Sequence, residues 1–180
     1  MNLVIREEKL LSNPNHIREV SDFECDVEDE ALVEYIKGDA FKENRLYVTR
    51  TYLIKNFENK IIGYYSLKTS AISFNINGIN KVIPLLELSE FAIDTKYQRK
   101  GFGTAIMIDY IYKKLVDISN LIGCSGIITF AKDNKALSFY KKLGFDELNI
   151  GEDGMIMCDN YSIGCKPMII STETIKNALE

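Results

Sequence analysis

Leu85–Thr104, LLELSEFAIDTKYQRKGFGT, reads as a buried strand, a polar turn and a basic loop with two glycines, and it opens directly into the apolar-periodic helix Ala105 to Val116. A loop of this kind at a helix start presents several backbone N–H groups without intrahelical acceptors, together with the positive end of the helix dipole. Residues Arg99 to Thr104 are therefore a candidate receptor for a phosphate or pyrophosphate.

Upstream, Leu46 to Lys55 and Lys60 to Leu67 are rich in β-branched and aromatic residues and are joined by the short polar segment Asn56 to Asn59, which predicts a hairpin. Ala71 to Ile76 predicts a third strand, closed by Asn77 and Gly78 in a tight turn. Nearer the N-terminus, Asn2 to Arg6 alternates as a first strand, and a polar loop runs through Pro14. From Asp26 a capped helix is expected, with Leu32, Tyr35, Ile36, Ala40 and Phe41 at helical spacing, Phe23 as its staple and Gly38 dividing it. Downstream, Gly126 to Phe130 (GIITF) predicts a short apolar strand, and Asn134 to Leu143 a second helix with Gly144 as its C-cap. Phe145 returns to a strand, Gly151 to Gly154 turns the chain, Met155 to Ile170 holds one or two further strands, and a tail helix follows Ser171. An antiparallel meander followed by strands alternating with helices makes the class mixed α+β with one parallel step, in a single domain over residues 1–180.

At 180 residues, 46% hydrophobic and 27% charged, the chain suits one ordinary core. No apolar run reaches membrane-spanning length, and MNLVIREEKLL carries charges where a signal peptide is apolar. The expectation is a cytoplasmic protein without membrane contact. Cys25, Cys124, Cys158 and Cys165 form no CxxC pair and His16 is the only histidine, so reduced thiols are expected and no metal site. The lone histidine also excludes Ser-His-Asp and HExxH chemistry. Net charge is −4 but uneven: residues 1–45 carry −6, residues 46–150 carry +5 and residues 151–180 carry −3. The basic excess coincides with the glycine loop, while a pI near 5.2 argues against broad nucleic-acid binding.

Two phosphate signatures fail on these residues. A P-loop needs GxxxxGK[ST], and a dinucleotide fingerprint needs a glycine where Ile106 stands. What remains is Gln98-Arg99-Lys100-Gly101-Phe102-Gly103, whose glycines let the backbone approach a ligand while Arg99 and Lys100 add charge. Downstream lies Asn134-Lys135-Ala136-Leu137-Ser138-Phe139-Tyr140-Lys141-Lys142-Leu143-Gly144-Phe145. This pair of motifs on either side of GIITF resembles the GNAT superfamily of acyl-CoA-dependent N-acetyltransferases, over roughly residues 46 to 150. The resemblance implies a central, mostly antiparallel mixed sheet that splays after its fourth strand, with helices on both faces and acetyl-CoA lying in the split.

The resemblance also assigns roles. Phe91, Ala92 and Ile93 would hydrogen-bond the pantetheine and polarise the thioester carbonyl, and Gln98, Arg99, Lys100, Gly101, Phe102, Gly103 and Thr104 would cradle the pyrophosphate. Asp133 and Asn134 open the second motif. Tyr140 matches the family tyrosine that protonates the departing thiolate. A carboxylate on the fourth strand would take the amine proton: Glu87 is preferred, Glu90 is its competitor, and strand alternation puts them on opposite faces. Burial would raise such a carboxylate's pKa toward neutrality. A ping-pong route would need a thiol, for which Cys124 is the candidate.

The acceptor is read as a primary amine attacking directly in a ternary complex. Phe23, Cys25, Leu32, Tyr35, Arg50-Thr51-Tyr52 and Gly63-Tyr64-Tyr65-Ser66-Leu67, with Asp133 before AxxFY, are also similar to GNAT toxins that acetylate the amino group of aminoacyl-tRNA. That similarity implies tRNA and an antitoxin as partners, although the acidic N-terminal region departs from it. A non-catalytic CoA-binding domain is the third reading. Homodimers are common in the family, and a homodimer is what that analogy implies.

Overall fold

In a computed structural model, which describes residues 4–26, 29–149, 154–157 and 164–180, the β-branched and aromatic run after residue 49 becomes an antiparallel hairpin. It joins β2 (Arg50–Asn56) to β3 (Ile61–Ile76), with Thr51 opposite Ser66 and Tyr52 opposite Tyr65. The Asn56 carboxamide accepts from the amides of Glu58 and Lys60 at 3.0 Å, and Asn59 takes φ 63°, so the turn is built by side chains that tolerate it. The chain divides into two compact units, Met1–Lys68 with Glu90–Tyr110, and Thr69–Ser89 with Ile111–Glu180.

In the first unit the strand order is β1 (Ile5–Lys9), β2, β3 and the end of β4 (Ile79–Ile93). Three helices, α1 (Pro14–Ser21), α2 (Glu30–Lys37) and α3 (Asp39–Leu46), cover it. Val20, Phe23, Ile36 and Ala40 pack with Leu53, Ile61, Tyr64 and Ala92 in one buried cluster, each large side chain contributing about 2 kcal/mol. Gly63 is required where β3 meets β4: a Cβ there would lie 2.7 Å from the Ala92 carbonyl oxygen. A β-bulge between Ile54 and Lys55 changes the phase of β2, and both residues are buried. The Lys55 ammonium, on a side chain only 2% exposed, is held between Glu8 at 2.8 Å and Glu19 at 2.7 Å.

In the second unit β3 and β4 are closed by Asn77 and Gly78 at φ 52° and 79°, a turn both residues accommodate readily. The order is β7 (Gly154–Met157), β3, β4, β5 (Gly126–Ala131), β8 (Lys166–Ser171) and β6 (Asp146–Glu147). Among the described pairings only β4 with β5 is parallel, and it covers two positions, Leu86 with Ile127 and Glu87 with Ile128. Among the described pairings β4 and β5 share no further position, and β5 pairs along its whole length with β8 on its other side. The fold is mixed α+β.

Several elements differ from the sequence expectation. Pro14–Ser21 is a helix rather than the continuation of a loop: Asn13 caps it, accepting from His16 N at 2.8 Å, and Pro14 takes the first turn, where its missing N–H costs nothing. The helix expected from Asp26 is divided at Gly38 as expected, but its first part starts later, at Glu30. Leu46 to Thr49 is not strand, because α3 runs to Leu46 and Tyr47 then turns left-handed at φ 63°. Ala71 to Ile76 is the far half of β3, and the first strand is Ile5–Lys9. The helix expected from Ala105 begins earlier as α4 (Phe102–Ile106), widens into a π-helical segment at Met107–Tyr112 and continues as α5 (Lys113–Leu121). The tail helix is α7 (Thr172–Leu179). The turn expected from Gly151, and residues 158–163 of the Met155 to Ile170 stretch, Cys158 included, lie outside the described residues.

Candidate active site

In the first unit β4 ends in Glu90, Phe91, Ala92 and Ile93, and Asp94 turns the chain out of the strand. Asp94 is buried; its carboxylate accepts from Lys96 N at 2.9 Å and from Glu24 N at 3.3 Å. A 3₁₀ turn, Thr95–Tyr97, follows. The Gln98 amide donates to the Ile93 carbonyl at 3.1 Å, so its side chain closes the end of the strand. Arg99 is left-handed at φ 59° and Gly101 at φ 84°, and a Cβ on Gly101 would meet nothing within 4 Å. The Lys100 ammonium is anchored on the Lys96 carbonyl at 2.7 Å, and Phe102 packs edge-on against Tyr97 with ring centroids 5.9 Å apart. The first helical bond runs from Ala105 N to Gly101 O at 3.1 Å. The N–H groups of Phe102, Gly103 and Thr104 precede it, and Gly101 has no side chain to cap them. Open space at Gly101, three forward-pointing amides and the neighbouring Arg99 and Thr104 fit an anionic group.

In the second unit α6 (Asn134–Lys142) carries Tyr140. The Asp133 carboxylate is the N-cap of α6, accepting from Ala136 N at 2.7 Å. Asn134 is the exposed first residue. The last turn is fastened by Leu143 N and Phe145 N on the Tyr140 carbonyl, at 3.0 and 3.1 Å, with Gly144 at φ 87°. Tyr112 donates from its hydroxyl to the Leu143 carbonyl at 2.7 Å and holds the same turn from α5's side of the chain. The Tyr140 ring, 7% exposed, meets Phe139 and Phe145 with centroids 5.3 Å away in both cases. Its hydroxyl lies 3.5 Å from Thr129 Oγ1, and Thr129 donates its own proton to the Leu88 carbonyl at 3.0 Å. The Thr129 hydroxyl thus faces both the Leu88 carbonyl and the Tyr140 phenol oxygen.

Glu87 is 0% exposed, in a run Leu85–Leu88 that is buried at every position, so both faces of β4 are covered there. In the first unit burial pushes the Tyr64 pKa well up, and the charge of half-buried Glu90 adds to that rise. Burial also pushes up the Cys124 thiol, which makes it a poor nucleophile. Among the residues behind the narrower toxin-like similarity, Arg50–Tyr52 and Tyr65–Leu67 are cross-strand partners on β2 and β3. Thr51 and Ser66 are 2.7 Å apart, Tyr52 stacks on Tyr65 at 5.0 Å, the Tyr65 hydroxyl donates to Glu7, and Tyr35 reaches Glu43 and Thr49 at 3.1 and 3.2 Å. Sequence reasoning missed Thr129, although a lone hydroxyl in the apolar strand GIITFA marks a polar group held for a reason.

The chain is similar to several known proteins. A tRNA-acetylating toxin of Mycobacterium tuberculosis is 25% identical over 96 residues, 49% of this chain and 57% of that protein, so the match spans little more than half the relative's length. Among solved structures, AtaTR bound with acetyl-CoA superposes with TM-score 0.79 at 23% identity, over 98% of this chain and 99% of that one. AtaT complexed with acetyl-methionyl-tRNAfMet gives TM-score 0.75 at 22% identity, over 98% and 99%. These likenesses establish the fold. A family model described as the acetyltransferase (GNAT) domain matches residues 43–147, more than half of the chain, and on that match the protein belongs to the GNAT acetyltransferase family.

Proposed function

We propose that the protein is a cytoplasmic acetyl-CoA-dependent N-acetyltransferase acting on a primary amine by direct attack. The observation that carries the reading is the start of α4, where the Phe102, Gly103 and Thr104 amides face forward behind an unobstructed Gly101. Acetyl-CoA supplies an activated acyl carbon and a thiolate leaving group. The loop amides and Arg99 hold its pyrophosphate, and the end of β4 at Phe91–Ile93 holds its pantetheine. As the amine nitrogen bonds to the acetyl carbon, the carbon–sulfur bond breaks, the Tyr140 hydroxyl gives its proton to the thiolate sulfur, and a carboxylate takes the amine proton. Thr129 orients Tyr140.

Of the two carboxylates, burial favours Glu90 for that last role. A base must touch the amine or a water beside it, and Glu87 reaches no solvent, whereas Glu90 does. Glu90→Gln should lower kcat/KM about 100-fold near neutral pH and recover as pH rises and the free amine deprotonates in solution. Glu87→Gln should leave that pH profile in place; the opposite pattern restores Glu87 as the base.

The acceptor that the relatives favour is the amino group of aminoacyl-tRNA, since one is a tRNA-acetylating toxin and another holds an acetylated aminoacyl-tRNA. On this reading an antitoxin is a further partner. Incubation with labelled acetyl-CoA should place label on aminoacyl-tRNA, and expression should arrest growth. Label on polyamines or protein amines, with growth unaffected, assigns a different amine.

A further inference from the structure

On the first unit Lys9, Leu11, Ser12, Asn44, Arg45, Tyr47 and Arg50 line a pocket of about 300 Å³, at the lower end of the range for small-molecule sites. Three of them are cations, in a chain whose first 45 residues carry −6 overall. Neighbouring Arg6, Lys42 and Lys55 each have a carboxylate within ion-pair distance. Lys9, Arg45 and Arg50 have none among the described residues, so their like charges converge uncompensated. One part of this is structural: Arg50 donates to the Asn44 carbonyl at 2.6 Å and finishes α3. Capping does not account for Lys9 or for Arg45.

Tyr47 stands left-handed at the helix C-cap, φ 63°, where glycine is the usual and less strained residue. It is 81% exposed, with the Arg50 guanidinium 4.1 Å from its ring centroid. A large aromatic held in a costly conformation and open to solvent offers a flat stacking surface. Beside it the uncompensated cations offer an anion site, and the Ser12 hydroxyl adds a hydrogen-bonding group. Phosphate and a planar ring within one small ligand describe a nucleotide.

We propose that this pocket binds one nucleotide unit, its phosphate against Lys9, Arg45 and Arg50 and its base stacked on Tyr47. The site stands whether or not the acetyl acceptor is an RNA. The unit is either a free mononucleotide or one residue of a single strand. Calorimetric titration of the full chain with 5′-AMP, adenosine, inorganic phosphate and a short single-stranded RNA, at about 50 and about 200 mM salt, tests it. AMP should bind at least about 10-fold more tightly than adenosine or phosphate. RNA binding tighter than AMP identifies a strand, and equal binding a free nucleotide. Tyr47→Gly should weaken AMP about 10-fold while leaving Tm unchanged or raised, since glycine adopts the conformation freely. Arg45→Gln should weaken it similarly and reduce the salt slope by about one. Phosphate binding as tightly as AMP, or Tyr47→Gly binding AMP like the parent, overturns the proposal.

Discussion

The loop Gln98–Thr104 offers a ligand backbone amides on an exposed turn, whereas α6 offers a single hydroxyl on a ring buried between Phe139 and Phe145. In the first, backbone geometry dominates, with open space at Gly101 and charge from Arg99 beside it. In the second, identity is everything, and the fold uses the Gly144 cap, the Tyr112 bond and Thr129 to fix one phenol. On the proposed mechanism binding belongs to the loop and proton transfer to Tyr140, so substitutions in the two regions should fail differently.

The largest effect belongs to the loop. Gly103→Asp puts a side chain and a negative charge among the amides of the first turn, and acetyl-CoA affinity in calorimetry should fall by at least about 100-fold, with the melting temperature little changed. Unchanged affinity breaks the assignment of that region. The next tests the packing beneath Tyr140. A Cβ on Gly126 would lie 2.2 Å from the Ile170 carbonyl, so Gly126→Ala must push β5 off β8 and should cost about 3 kcal/mol in urea unfolding. Because β5 carries Thr129, the variant's surviving folded fraction should turn over more slowly at unchanged donor affinity.

Smaller, and confined to the first unit, is the Lys55 cluster. Its ammonium, then the His16 hydrogen bond, hold the Glu8 carboxyl below its ordinary value of 4.5. A depressed carboxylate contributes stability that is complete above its unfolded pKa and is lost as pH falls through the lower folded value. Lys55→Met should cost about 2 kcal/mol at neutral pH, with Glu8 and Glu19 partly solvated, and should flatten the acid side of the stability curve. An unchanged acid limb would remove Lys55 from the account.

Those outcomes bear on what the sequence discloses. The loop, GIITF and the AxxFY helix were readable because each depends on local grammar: glycines where φ is positive, β-branched runs and capping residues. Lys55, Thr129 and the uncompensated cations were not, since their meaning comes from partners distant in the chain, as Lys55 with Glu8 and Thr129 with Leu88. Helix α1 escaped because its eight residues, PNHIREVS, carry few apolar positions, although Asn13-Pro14 is a start signal. Which of Glu87 and Glu90 reaches solvent depends on burial, which alternation alone does not reveal.

The central claim is that Tyr140 supplies the proton that lets the thiolate leave. Free-thiol release from acetyl-CoA in the presence of an amine acceptor, measured for the parent and for Tyr140→Phe together with donor affinity, addresses it directly. The account predicts acceptor-dependent thiol release by the parent, a kcat about 100-fold lower in Tyr140→Phe, and donor Kd values within about twofold. Equal rates in the two proteins would contradict it.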